Sequence, residues 1–186
     1  MEKISFTPLY PSLLSPSQFP LEELKKVEKG KLSLPPQIAL IGFGCNLGDC
    51  FNRFRLLHFY LQHYRGVKLV ATSPLYFNPP FGYLEQPHFW NGVIVLKTPL
   101  SPFQLLPRLL QIEKRFGRVR EFKNAPRTLD LDLLVMGSWK VATPRLTLPH
   151  RGVTERKSVL FPLHLLIKWV ERGRKISQIG KIEQVK

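Results

Sequence analysis

The chain has 186 residues, with 28 lysines and arginines against 13 aspartates and glutamates, which gives a formal net charge of +15. Its 44% hydrophobic and 22% charged residues are typical of a globular domain, so disordered, collagen-like and disulfide-scaffold proteins are excluded. Two cysteines, without a second pair for a metal site, indicate a reducing compartment and predict a cytoplasmic protein. No run of apolar residues approaches the length of roughly 20 residues that a membrane-spanning helix needs.

The positive charge is concentrated in the second half of the chain. Residues 101–150 carry nine basic and four acidic side chains, and residues 151–186 carry nine and three. Such an excess is typical of a solvated basic surface, of a nucleic-acid interface, or of a site for a small polyanion such as a nucleoside triphosphate. Composition alone does not choose among the three.

The first 37 residues differ from the rest because six prolines prevent continuous regular structure. Between them, residues 21–29 have the pattern of a short helix, with Pro20 before it, acidic residues first, lysines last and Gly30 after it. We expect residues 1–37 to form an N-terminal extension, a surface arm or strap, on a domain that spans residues 38–186.

Alternating strand and helix patterns begin at residue 38. Apolar and alternating runs predict strands at residues 38–43, 67–72, 89–96 and 128–136. Helical spacing after the first strand gives a stripe of four apolar side chains: Phe51, Phe54, Leu57 and Leu61. A second helix begins after Ser101 and ends at Gly117. This order of elements predicts an α+β fold, a ferredoxin-like βαββαβ core whose antiparallel sheet is covered by helices.

Two acidic residues lie in the last predicted strand. Asp130 and Asp132 point to one face, about 7 Å apart along the chain, because side chains alternate in a strand. Two carboxylates this close repel each other unless a cation lies between them. A pair of Mg²⁺ ions would satisfy both carboxylates and could bridge a polyphosphate. The alternative is a pair of solvated acids on an edge strand.

Basic residues surround these acids in the sequence. Arg118, Arg120, Lys123 and Arg127 come just before them, and Arg145, His150 and Arg156 come after them. Metal-binding acids among arginines favour a triphosphate site, because the cations hold its oxygens and the arginines spread the charge that develops during transfer. Nucleic-acid binding would not need the acids.

An aromatic loop at residues 79–91 begins with two adjacent prolines and carries four aromatic side chains. Such a loop could stack on a flat heterocycle while Asn91, with two donors and an acceptor, binds the edge of the ring. The alternative is a rigid connection whose aromatics complete the core. On composition alone we favour the rigid connection.

Taken in order, the motifs of residues 38–163 resemble those of the 6-hydroxymethyl-7,8-dihydropterin pyrophosphokinase family of folate biosynthesis. The resemblance rests on eight short segments at residues 44–48, 73–76, 79–82, 86–91, 112–113, 117–120, 126–132 and 146–150. Each is weak alone, and the ordered set is specific. The resemblance implies a ferredoxin-like fold, two Mg²⁺ ions, and transfer of pyrophosphate from ATP to the hydroxymethyl oxygen of the pterin, with release of AMP.

The resemblance also implies roles for individual residues. Asp130 and Asp132 would hold both metal ions and would form the catalytic set with Arg118 and Arg127. The implied ATP site consists of Glu113, Arg118, Arg120, Arg127, Leu133, Arg145, Thr147, His150 and Arg156. The implied pterin site consists of Asn78, Pro80, Phe81, Phe89 and Asn91. No covalent intermediate is implied, so catalysis would consist of positioning and charge neutralisation.

The sequence departs from the family pattern at three places. Cys45 stands where the family usually has serine, a change that we expect to affect packing rather than chemistry. In residues 122–127, which we call the lid loop, Phe122 is the candidate to replace the family's tryptophan from a shifted position. Ser158 stands where an aromatic or apolar residue is common, so one wall of the pterin site is weaker or is supplied by another residue.

Two other functions fit the fold. One is a basic ferredoxin-like module that binds RNA and has lost catalysis, and the other is a partner domain that binds neither ligand. The acids among the arginines and the lack of an RNA-recognition signature count against the RNA module. We therefore expect ATP and the pterin as partners, with no nucleic acid and no membrane, and a monomer.

Overall fold

The computed structural model describes residues 3–5, 19–119, 122 and 124–183, and it describes side chains from residue 19 to residue 172 within these ranges. The strands are β1 (Lys3–Ser5), β2 (Ile38–Cys45), β3 (Lys68–Thr72), β4 (Leu75–Asn78), β5 (Phe89–Lys97), β6 (Asp130–Met136), β7 (Val141–Ala142) and β8 (Thr147–Leu148). The helices are α1 (Leu21–Glu28), α2 (Cys50–Gln62), α3 (Pro102–Arg115) and α4 (Lys157–Glu183), with a 3-10 turn at Arg151–Val153.

One antiparallel sheet forms the centre of the molecule. Its strand order is β1-β4-β5-β2-β6, with β3 also paired to β5, while β7 and β8 form a separate ribbon. Strand β2 pairs with β5 along its whole length and with β6 on its other side. The βαββαβ unit therefore runs from β2 to β6, and the predicted ferredoxin-like core is confirmed. Strands β1, β4, β7 and β8 were not predicted.

Helices α2 and α3 cover one face of the sheet. Asp49 caps α2 by accepting a hydrogen bond from Asn52 N at 3.0 Å, and Ser101 begins α3 in a capping box. The predicted stripe on α2 is buried at Phe54, Leu57 and Leu61. Phe51, the first residue of the stripe, is 42% exposed, and its ring packs against Trp90 near the start of the helix.

Helices α1 and α4 cover part of the opposite face. Leu24 and Val27 of α1 are fully buried in a cluster with Leu163 and Leu166 of α4 and the inner residues of the sheet. An ion pair of 2.8 Å between Lys25 and Glu171 joins the two helices at their surface. The segment before residue 38 thus contributes to the second core, while the division into an extension and a domain stays a prediction. No helix within the described part of the chain is long and apolar enough to cross a membrane.

The second face of the sheet changes character along its strands. Where α1 and α4 cover it, the inward side chains are apolar, as at Leu40 of β2 and Leu134 of β6. Further along the same strands, the residues on this face are two glycines on β2 (Gly42 and Gly44), the aromatic Phe89 and the polar Asn91 on β5, and two acids on β6 (Asp130 and Asp132). This uncovered end of the sheet forms the floor of a pocket.

Candidate active site

A pocket of about 640 Å³ opens over the uncovered end of the sheet. All five residues predicted to bind the pterin line it: Asn78, Pro80, Phe81, Phe89 and Asn91. Asp130, Asp132, Arg127 and Arg156 line the same space, and the start of α4 closes one side with Ser158 and Val159. The fold therefore brings the aromatic loop, the paired acids and two of the predicted arginines to one cavity.

The two acids lie side by side on β6, opposite glycines of β2. Asp130 pairs with Gly44 and Asp132 pairs with Gly42, so no side chain of β2 stands between the carboxylates and the cavity. Burial raises the pKa of the Asp132 carboxyl above its usual 3.8, and the charge of Asp130 raises it further, against the influence of His150, Arg156 and Arg118. The pair is therefore electrostatically strained, and a cation would relieve it.

Asp130 lies between two arginines. Arg118 Nη1 is 2.6 Å from Asp130 Oδ1, and Arg127 Nη1 is 2.7 Å from Asp130 Oδ2. Arg118 also donates to Glu113, whose carboxylate is only 3% exposed and accepts a 2.7 Å hydrogen bond from Leu131 N. Glu113 is therefore positioned beneath Arg118 rather than in the cavity. It connects α3 to β6 and orients the arginine.

Arg127 also covers the predicted stacking surface. Its guanidinium carbon is 5.1 Å from the centre of the Phe89 ring, a cation–π arrangement, and its Nε is buried without a hydrogen-bond partner. Without ligands, the guanidinium therefore lies where the face of Phe89 meets the carboxylate of Asp130. A flat ring that stacks on this face of Phe89 requires Arg127 to move.

The polar floor of the pocket includes two asparagines. Asn91 Nδ2 donates a 2.6 Å hydrogen bond to Asn78 Oδ1 across the pairing of β4 with β5. Gly44 gives Asn91 the room it occupies, because a Cβ at residue 44 would lie 2.6 Å from Asn91 Oδ1. The hydrogen bond to Asn78 therefore fixes the orientation of the Asn91 side chain, and its amide lies at the surface of the pocket.

The remaining predicted ATP residues that the structure describes lie on β6, on β8 and in the segments before and after β8. His150 follows β8, and its Nδ1 accepts a 3.0 Å hydrogen bond from Gly152 N, so the neutral ring carries its proton on Nε2. Thr147 is in β8, Arg145 is exposed in the turn before it, and Arg156 lies against Gly152 at the pocket. Leu133 is 3% exposed in the core on the other face, which leaves only its backbone to a ligand. Arg120 lies outside the described residues.

The donor set fits a divalent cation that is shared with a phosphate. Asp130 and Asp132 are hard oxygen ligands on one face, and Mg²⁺ commonly takes one or two carboxylates, with substrate phosphates and water completing its shell. The described residues hold no group of three or more acidic, histidine or cysteine side chains that could form a complete protein site. Two carboxylates leave most of the shell of a Mg²⁺ ion to water or to substrate oxygens.

A buried asparagine that joins two loops was not predicted from the sequence. Asn46 is 6% exposed; its Oδ1 accepts from Arg127 N at 2.8 Å, and its Nδ2 donates to Gln86 and Pro87 at 2.9 Å each. The segment at residues 44–48, one of the eight that carry the resemblance, was its only signal in the sequence. The lid loop contacts the aromatic loop nearby, where half-exposed Phe122 packs edge to face against Tyr83.

A disulfide bond joins Cys45 to Cys50 beside this asparagine. The bond was not predicted, because two cysteines with four residues between them do not by themselves determine whether they pair. It adds a covalent link where we expected Cys45 to affect packing alone. The compartment of the protein stays a prediction.

Comparisons with known proteins agree on one family. The model of the 7,8-dihydro-6-hydroxymethylpterin-pyrophosphokinase family matches residues 40–168. The chain is 41% identical over 128 residues to 2-amino-4-hydroxy-6-hydroxymethyldihydropteridine pyrophosphokinase of Helicobacter pylori, covering 68% of this chain and 78% of that protein. It is 38% identical over 135 residues to the Bacillus subtilis protein of the same name, covering 73% and 81%.

A longer relative also matches. The chain is 37% identical over 147 residues to folic acid synthesis protein fol1 of Schizosaccharomyces pombe. The aligned region covers 79% of this chain and 20% of that protein. The family match includes the βαββαβ core from Leu40 onward, both acids and the pocket-lining start of α4. The chain belongs to the 7,8-dihydro-6-hydroxymethylpterin-pyrophosphokinase family.

Proposed function

We propose that the pocket over the uncovered end of the sheet carries out the reaction of this family. The protein transfers the pyrophosphate of ATP to the hydroxymethyl oxygen of 6-hydroxymethyl-7,8-dihydropterin, which gives the dihydropterin diphosphate and AMP, a step in folate biosynthesis. The observation that carries the assignment of the site is the adjacency of the paired acids on β6 to a cavity that is lined by aromatic and amide side chains.

The aromatic end of the pocket binds the pterin. The ring stacks on Phe89 after Arg127 has moved aside, and the amide of Asn91, held by Asn78, pairs with the polar edge of the ring. Pro80 and Phe81 close the far side of the cavity, where the backbone of residues 78–81 faces the other edge. In this proposal the hydroxymethyl group points toward Asp130 and Asp132.

The basic end of the pocket binds ATP. Arg118 and Arg127 contact Asp130, and Arg156 lines the same pocket. These three side chains hold the phosphate oxygens and spread the charge of the transition state. Glu113 keeps Arg118 oriented from below. We assign further ATP contacts to Arg120, Leu133, Arg145, Thr147 and His150. The Nε2 proton of His150 is free to donate to a phosphate oxygen when Nδ1 accepts from Gly152.

Asp130 and Asp132 hold two Mg²⁺ ions in this proposal. When bound, the ions neutralise the polyphosphate and polarise the β-phosphorus for attack. A cation held by Asp130 and Asp132 would take over the charge pairing that Arg118 and Arg127 give Asp130, which would make both guanidinium groups available to the phosphates. It would also oppose the burial and the charge of Asp130 that raise the pKa of Asp132. No side chain forms a covalent intermediate, and the reaction depends on alignment of the hydroxyl with the β-phosphorus.

We propose that the enzyme acts as a monomer in the cytoplasm. The paired acids, the aromatic side chains and the arginines of the proposed site all come from one chain, which supports this proposal. Sedimentation of the purified protein at working concentration should give a single species near the 21.6 kDa of the chain. A stable dimer whose dissociation abolished activity would contradict the monomeric assignment.

The activity is tested with purified protein, ATP, Mg²⁺ and 6-hydroxymethyl-7,8-dihydropterin. AMP should form in step with the dihydropterin diphosphate, and Asp130→Asn or Asp132→Asn should abolish turnover while circular dichroism stays unchanged. Asp49→Asn is the matched control, because asparagine also caps a helix and Asp49 lies outside the pocket. Wild-type rates in either β6 variant would remove the metal assignment.

A further inference from the structure

The disulfide between Cys45 and Cys50 closes the turn that leads from the sheet into α2. Cys45 is the last residue of β2 and Cys50 is the first of α2, and both are buried, at 0% and 5% exposure. Four residues lie between them, of which Leu47, Gly48 and Asp49 are exposed. The bond therefore fixes both ends of a short turn, here called the 46–49 turn, whose middle faces solvent.

The buried member of this turn connects the two halves of the active site. Asn46 exchanges hydrogen bonds with Arg127: its Oδ1 accepts from Arg127 N at 2.8 Å, and its own N donates to Arg127 O at 3.0 Å. Its Nδ2 donates to Gln86 Oε1 and Pro87 O in the segment just before Phe89. The position of Asn46 thus sets the base of the lid loop and the base of the aromatic loop together.

The strand on the other side of the bond also reaches the site. Cys45 pairs with Trp90, and the preceding residue, Gly44, pairs with Asn91 on one side and Asp130 on the other. Loss of the covalent link would give the 46–49 turn more freedom, because a disulfide restricts the conformations of the loop that it closes. The added freedom would first change the position of Asn46, and through Asn46 the positions of Arg127 and the aromatic loop.

We propose that Cys45 and Cys50 form a reversible redox site that positions Arg127 and the aromatic loop through Asn46, so that reduction weakens pterin binding. The proposal rests on the proposed function. A dithiol reductant supplies two electrons and two protons; the Cys45–Cys50 bond breaks, two thiols form on the chain, and the reductant becomes a disulfide. Intracellular disulfides are commonly of this transient, redox-sensing kind.

One neighbour favours exchange at this site. Arg53 Nη1 is 3.3 Å from Cys45 Sγ, and a cation beside a sulfur stabilises the thiolate, which is the form that attacks or leaves in disulfide exchange. The same guanidinium donates to Leu47 O, so Arg53 spans the turn from its solvent side. When the exposed part of the turn opens, a reductant can therefore reach Cys45 Sγ, which already has the positive charge of Arg53 beside it.

The test compares the full-length enzyme with the bond intact and after equilibration with dithiothreitol. Mass labelling with a maleimide should count no thiols before reduction and two after it. The KM for the pterin should rise about three- to tenfold on reduction, as expected for one or two weakened hydrogen bonds, while kcat changes less than twofold. Treatment with oxidised dithiothreitol should restore the KM. In hydrogen exchange, the amides of Asn46 and Arg127 should exchange faster after reduction, while those of Ile41 and Ile94 in the core stay unchanged.

The Cys45→Ser/Cys50→Ser variant is the control. It should have the pterin KM of the reduced enzyme and show no response to dithiothreitol; if it does not fold, the redox series on the wild type decides alone. Three results would overturn the proposal: a bond that does not form or cannot be reduced, equal KM and exchange in both states, or a variant that still responds to reductant. An enzyme without transfer activity in either state would refute the proposed function, and thiol counting and exchange would still decide the redox site.

Discussion

Gly44→Ala should impair pterin binding through a single displaced side chain. Gly44 lies on β2 between Asn91 of β5 and Asp130 of β6. A Cβ added there would lie 2.6 Å from Asn91 Oδ1, well inside contact distance, whereas the nearest backbone atom, Trp90 O, would be 3.8 Å away. The end of the Asn91 side chain is therefore the part that moves, and the strand itself has no reason to shift.

The structure gives the size of the effect. When Asn91 turns away, its 2.6 Å hydrogen bond to Asn78 is lost, and the amide no longer meets the edge of the pterin. An unsatisfied buried polar group costs about 1–3 kcal/mol, which corresponds to a rise of about tenfold to a hundredfold in the KM for the pterin. The free energy of unfolding should fall by only about 1 kcal/mol, the net value of one hydrogen bond.

Steady-state kinetics with the pterin varied at saturating ATP measure this effect. Asn91→Ala should raise the pterin KM to a similar extent, and Gly44→Ala should add little in the Asn91→Ala background, because both changes remove the same contact. Gly42→Ala is the comparison on the same strand: the atoms nearest its Cβ would all belong to Leu134, at 3.3 Å or more, and not to Asn91, so the pterin KM should rise less than in Gly44→Ala. A wild-type pterin KM in Gly44→Ala, or full additivity with Asn91→Ala, would refute the reasoning.

Three further variants have defined outcomes. Asp132→Asn should raise the melting temperature at pH 7. Because the pKa of Asp132 is raised in the folded state, the charged carboxylate destabilises the fold at pH values above that pKa. The difference in melting temperature between variant and wild type should vanish below pH 3.8, the ordinary pKa, where the carboxyl is protonated in both the folded and the unfolded state. A lower melting temperature at pH 7 would contradict this sign. Leu24→Ala should lower the free energy of unfolding, measured with denaturant, by about 2–5 kcal/mol, because Leu24 is fully buried between α4 and the sheet. Lys26→Ala, at an exposed position of the same helix, should lower it by less than about 0.5 kcal/mol. Equal losses would show that α1 does not contribute to the core. Phe89→Ala should raise the pterin KM about tenfold and leave the ATP KM nearly unchanged, as loss of ring stacking predicts, and an effect on ATP alone would place the pterin elsewhere.

The sequence predicted the core elements well because their signals are local. Helices α1, α2 and α3 and strands β2, β3, β5 and β6 lie within a few residues of their predicted bounds, since apolar periodicity and caps mark them. Strand β4 was missed because prolines surround its four residues, and only pairing with β5 and β1 makes it a strand. Alternation in β6 was enough to place Asp130 and Asp132 on one face.

The parts of the site that were not predicted depend on contacts between distant segments. Asn46 and Arg127 are 81 residues apart in the chain, and no local pattern signals their hydrogen bonds. Glu113 was predicted at the ATP site, but its position beneath Arg118 follows from the packing of α3 on β6. The cover of Phe89 by Arg127 also arises only when the lid loop and the aromatic loop meet over the sheet.

The most direct measurement follows both transferred phosphorus atoms with ATP labelled at the β and γ positions. The wild-type protein with Mg²⁺ and 6-hydroxymethyl-7,8-dihydropterin should release unlabelled AMP and place both labels on the pterin, and Asp130→Asn should do neither while it remains folded. Release of labelled ADP, a single label on the pterin, or no transfer from well-folded wild-type protein would contradict the assignment of pyrophosphate transfer to the paired acids of β6.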